Sequence, residues 1–132
     1  MVRLGIASLA VFVVWMILDV VLHGMILSST YAMTPQLWRP MGEMKMGVNA
    51  VVVLVAAICF VFVYAQLIPE KSLRTALVYA LALGIARGIT MGYGSYAAMP
   101  MPYLLALAWF LGEIVEYLIA GVVMSFIVKP RD

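Results

Sequence analysis

The chain has 132 residues, of which 67% are hydrophobic and 11% charged, and its mean hydropathy is +1.13. A domain this small cannot hide two thirds of its residues from water, so the apolar excess has to face lipid; a soluble enzyme and a disordered chain are excluded. The net charge of +2 has no basic cluster behind it, which excludes a nucleic-acid partner.

A hydrocarbon layer of about 30 Å takes roughly 20 apolar residues in helical form. The sequence supplies such a run near residues 4–27, 48–68, 73–97 and 103–128. Prolines stand between the runs, Pro35 and Pro40 after the first, Pro69 after the second, Pro100 and Pro102 after the third. The expected fold is all-α, a single polytopic domain over residues 1–132 built as a bundle of four transmembrane helices. Asp19 interrupts the first run and no small-residue cleavage site follows it, so that run reads as a retained span and not a signal peptide.

The basic residues Arg3, Lys71, Arg74, Lys129 and Arg131 all fall on one side of a four-span chain, against Arg39 and Lys45 on the other. The positive-inside rule then expects both termini in the cytoplasm of a bacterial inner membrane. The connection from Ser28 to Met46 lies on the opposite side. There Thr34 followed by Pro35 reads as a helix cap with proline at the first helical position, so a short interfacial helix is expected, with Trp38 and Arg39 at the headgroup level. The uncharged connection around Met99–Pro102 is expected to lie against the membrane, anchored by Tyr96 and Tyr103.

The third run carries Ala80, Gly84, Gly88 and Gly92 at intervals of four, a small-residue ribbon that lets another helix approach closely. Packing within the chain is favoured over a dimer seam. Beyond the ribbon, Gly92, Gly94 and Ser95 are expected to unwind or bend the outer end of the helix.

Ionisable side chains inside a span are costly and are functional candidates for that reason. Asp19 and His23 share a face of the first span, Glu113 and Glu116 share one of the fourth, and Arg87 is on the third. Their depths are comparable, so the five are expected to meet inside the bundle. Three carboxyls against one guanidinium leave a surplus that must be protonated, solvated or bound to a cation. In the structural reading, Arg87 forks onto Glu113 or Asp19 and the remaining acid bonds to Tyr117, Tyr93 or a backbone carbonyl. In the sharper reading the three acids carry protons or cations and Arg87 sets their poise.

A second constellation uses sulfur. Of eleven methionines, Met25, Met33, Met41, Met44, Met46, Met91, Met99 and Met101 fall toward the outer side. Thioethers select Cu(I), and His23 with Met25, Met41, Met44 and Met46 is the candidate copper set; against it, methionine is an ordinary filler of apolar spans. No cofactor is otherwise expected. Cys59 is the single cysteine, which excludes an internal disulfide and a Cys-rich zinc site, and it reads as a small packing residue. Phosphate loops, zinc-protease and nucleophile-elbow motifs are absent, so an enzyme is disfavoured.

The stretch from Leu18 to Met44, with Asp19, His23 and Gly24 followed by Tyr31, Leu37-Trp38-Arg39-Pro40 and Glu43, resembles a pattern in small uncharacterised bacterial four-helix membrane proteins. The resemblance implies a bacterial inner-membrane setting and no mechanism. The leading expectation is a non-enzymatic accessory or assembly partner held together by its buried polar network, with the bilayer and a homodimer or larger membrane complex as partners. A proton-coupled or cation transporter is the main alternative, and a copper-handling protein the third.

Overall fold

A computed structural model describes residues 1–130, so Arg131 lies outside the described residues. Helix α1 spans Val2–Asp19 and continues as a π-helical turn over Val20–Ile26; α2 is the short helix Ser28–Met33. Helix α3 spans Met46–Leu67. Helix α4 spans Leu73–Gly88 and runs through a second π-helical turn, Ile89–Gly94, into the single turn α5, Ser95–Ala98. Helix α6 spans Tyr103–Ile127. Four segments, Val2–Ile26, Met46–Leu67, Leu73–Ala98 and Tyr103–Ile127, are long and apolar enough to cross a membrane.

The helix ends follow local chemistry. Ile68 turns extended ahead of Pro69, whose ring disfavours a helical residue before it, and α3 stops there. Ser72 restarts the chain by accepting a hydrogen bond from the Thr75 amide, while its hydroxyl is 2.9 Å from a Glu70 carboxylate oxygen. The hydroxyl groups of Ser72 and Thr75 hold the exposed Glu70 carboxyl below the usual carboxylate range. Ser72→Ala removes this cap and is expected to lower stability by about 1 kcal/mol, read as thermal unfolding in detergent, with Ser72→Asp retaining it.

Thr34 is the N-cap of the turn Pro35–Leu37, with Pro35 at its start as expected, but its hydroxyl makes no capping bond. Its hydroxyl instead donates to the Thr30 carbonyl at 3.0 Å and accepts from the Trp38 indole at 2.9 Å. The connection after α1 therefore folds as α2 followed by two single 3-10 turns, Pro35–Leu37 and Met41–Glu43. At the far end of α4, the glycines expected to unwind the helix widen it into a π-helical turn, and the tyrosines of the next connection meet, with Tyr93 and Tyr103 hydroxyls 3.0 Å apart.

The small-residue ribbon seats α4 on α6. Ala76, Ala80, Gly84, Gly88 and Gly92 are all buried. A Cβ at Gly88 would stand 2.7 Å from the Phe110 carbonyl oxygen, and one at Gly92 would stand 2.5 Å from that of Ala106. Gly121 answers from α6, its missing Cβ leaving room for Ala80. Tyr79 ties α4 to α3 by donating to the Phe60 carbonyl at 2.7 Å.

Two apolar cores result. One, around Ala7, Val11, Trp15, Phe60, Tyr64 and Met124, fills the end of the bundle where residues 1–4 and 128–130 lie together. The other, around Leu27, Met101, Leu105 and Ala106, fills the opposite end. Asp19, Arg87, Glu113 and Glu116, from α1, α4 and α6, occupy positions between the two cores.

Candidate functional site

Asp19, Arg87, Glu113 and Glu116 come together. They line one cavity of about 50 Å³, with Trp15 and Tyr117 of α1 and α6 and Val52, Val53 and Ala56 of α3 completing its walls. That volume holds a water molecule or two and no organic substrate.

Glu116 is the most enclosed of the charged residues, 7% exposed, and its Oε1 has no hydrogen-bond partner. Trp15, itself 5% exposed, fixes the helix behind it by donating from its indole to the Glu116 carbonyl at 3.0 Å. Its ring packs on Tyr117 and Phe60 at centroid distances of 4.8 and 5.4 Å. Glu113 faces Arg87 across 3.9 Å, a single long contact and not a fork, with the guanidinium side chain 44% exposed. Among the described residues this is the one ion pair between side chains. Tyr117 lines the cavity, but its hydroxyl bonds to neither glutamate, and Tyr93 pairs with Tyr103 and not with an acid. The acids therefore meet through a Glu116–Asp19 side-chain hydrogen bond and one long ion pair to Arg87, with one buried oxygen, Oε1 of Glu116, left unpartnered.

His23 is held elsewhere. One π-helical turn beyond Asp19, its Nδ1 is 2.5 Å from the Tyr31 hydroxyl, and it lines a second cavity with Tyr31, Trp38 and Trp109. The aromatic partners account for the separation, because Trp109 also donates to the Tyr31 hydroxyl at 2.7 Å and the three side chains lock one another. All four methionines are exposed; Met41 and Met44 line this second cavity, and Met25 and Met46 do not. The five methionine and histidine positions of the candidate copper set thus divide. Among the described residues no three His, Cys, Asp or Glu side chains are grouped to hold a metal ion.

Sequence reasoning overlooked Trp15 and Trp109. The signal for Trp15 was its spacing of four from Asp19, which puts both on one helical face. Trp109 carried a weaker one, four residues before Glu113 on α6. No protein-family model, no curated protein and no solved structure matches the chain.

Proposed function

We propose that this chain is a small multi-pass membrane protein that takes up and passes on protons at an intramembrane carboxyl cluster, as a proton-coupled transport component. The observation that carries the reading is the buried, unpartnered Oε1 of Glu116, in a residue that lines a partly open, water-sized cavity with Asp19 and Glu113. A network serving only to fix helix register would satisfy its buried groups. Register here is already set by the backbone contacts of Gly88 and Gly92, so the acids are not needed as glue. One guanidinium for three carboxyls leaves room for exchangeable protons, and the lack of a metal-type grouping among the described residues favours the proton over a metal cation.

The setting proposed is a bacterial inner membrane with both termini cytoplasmic. Arg3, Lys71 and Lys129 line a single pocket at one end of the bundle, which supports that orientation.

The test is proton flux into proteoliposomes under an imposed potassium diffusion potential, read with a trapped pH dye. The intact protein is expected to exceed empty vesicles, and Glu116→Gln and Asp19→Asn to lower the flux at least tenfold. Flux that Glu116→Gln, Asp19→Asn and Glu113→Gln all leave unchanged refutes the proposal.

A further inference from the structure

The second cavity has a chemistry of its own, apart from the carboxyl cluster. Its volume is about 690 Å³, within the range of roughly 300–1,000 Å³ typical of small-molecule sites. It lies at the end of the bundle away from the termini, between the π-helical turn of α1, the connection that follows it and the start of α6. Aromatic rings form a continuous wall: Tyr31 meets Trp38 at 5.2 Å between centroids, Trp38 meets Trp109 at 5.7 Å, and His23 meets Trp109 edge-on at 6.1 Å. Among the described residues no acid lines the cavity, and its one permanent charge is Arg39, which is exposed.

The polar groups have a fixed direction. An indole N–H only donates, so the Trp109 contact uses Tyr31 oxygen as acceptor. Burial pushes the Tyr31 hydroxyl up to about 12, so it keeps its own proton, and the acceptor in reach is Nδ1 of His23. With Tyr31 as the donor in that bond, His23 is a neutral ring with its proton on Nε2. Nε2 has no partner among the described residues, which leaves one neutral N–H donor beside an aromatic wall. Helix π turns are frequent at ligand sites because they displace side chains from the regular face, and His23 and Gly24 both sit in one.

We propose that this cavity binds a flat, uncharged, carbonyl-bearing ring of the quinone class drawn from the membrane phase, its ring against Trp38 and Trp109 and its carbonyl accepting from His23 Nε2. An organic cation is disfavoured by the missing carboxylate and by Arg39. An amphipathic anion would have a single exposed guanidinium to pair with, and a neutral carbonyl matches a neutral donor.

The test uses the full chain in nanodiscs titrated with menadione, a quinone that quenches indole emission, with Trp38 and Trp109 as reporters. Saturable quenching is expected, and His23→Leu is expected to weaken it about five- to tenfold, the equivalent of one lost hydrogen bond in an apolar site. A second measurement needs no variant: 1,4-dimethoxy-2-methylnaphthalene keeps the ring shape but presents ether oxygens, and it is expected to bind at least fivefold more weakly to the intact protein. Quenching that rises linearly with menadione, equal affinity for the two naphthalenes, or saturable binding of oleate without saturable binding of menadione each overturns the proposal.

Discussion

Gly92→Leu and Gly88→Leu are expected to separate α4 from α6 and to leave little folded protein. The obstacle at both positions is backbone. A Cβ at Gly92 would lie 2.5 Å from the Ala106 carbonyl oxygen and 3.1 Å from the Phe110 nitrogen, and one at Gly88 2.7 Å from the Phe110 carbonyl oxygen. Neither neighbour moves without moving α6 itself. Even alanine is therefore expected to cost about 2 kcal/mol or more, the range of overpacked cores, and leucine substantially more. The graded controls lie in the same chain. Gly84→Ala, with neighbours at 3.0 and 3.1 Å, is expected to cost less than either. Gly112→Ala meets only the end of the flexible Leu22 side chain, which can swing away. Gly5→Ala and Gly47→Ala have nothing within 4 Å and are expected to change stability by less than about 0.5 kcal/mol. Thermal unfolding in detergent, measured across the series, checks the order; equal costs at Gly92 and Gly47 would show that α4 does not seat on α6 in this way.

This gradation marks how far the sequence could be read. The interval of four from Ala80 to Gly92 announces a close helix contact, because only a face of small side chains repeats so. The partner face is not announced. Gly121 and Phe110 of α6 stand alone in their stretch of sequence, and their roles arise from the crossing of two helices that no local pattern encodes. The convergence of Asp19, Arg87, Glu113 and Glu116 was legible for a similar reason: each sits at a comparable depth in a run of defined length, and charge in an apolar run has few places to go. His23 was misplaced because spacing arguments assume regular α-helix. The hydrogen bond from the Leu27 amide to the Leu22 carbonyl at 2.8 Å is an i to i+5 bond, and a π-helical turn shifts the register of everything it carries. Tyr31 and Trp109, which hold the imidazole, are 78 residues apart, and nothing in either neighbourhood signals the other.

Arg87→Met is expected to destabilise the bundle by about 2–3 kcal/mol, and the double variant Arg87→Met with Glu113→Gln is expected to recover most of that loss. Among the described residues the guanidinium is the only cation lining the cavity with Asp19, Glu113 and Glu116, so its removal leaves their charge with no counterpart in an apolar bundle. Its pairing with Glu113 is long, at 3.9 Å, and the side chain is 44% exposed, which places the effect at or below the lower end of the range for breaking buried pairs. Glu113→Gln alone is expected to be nearly neutral, since it removes one member of the surplus and keeps the shape of the side chain. The four stabilities close a double-mutant cycle whose coupling measures the pair directly. The same cycle separates the two roles open to the cluster. If the acids act only as helix glue, proton flux is absent throughout and stability alone responds to the variants. If they carry protons, the double variant regains its fold while flux changes, because Glu113 and Arg87 have been removed from around Glu116 without disturbing the packing of Gly88 and Gly92 that holds α4 on α6.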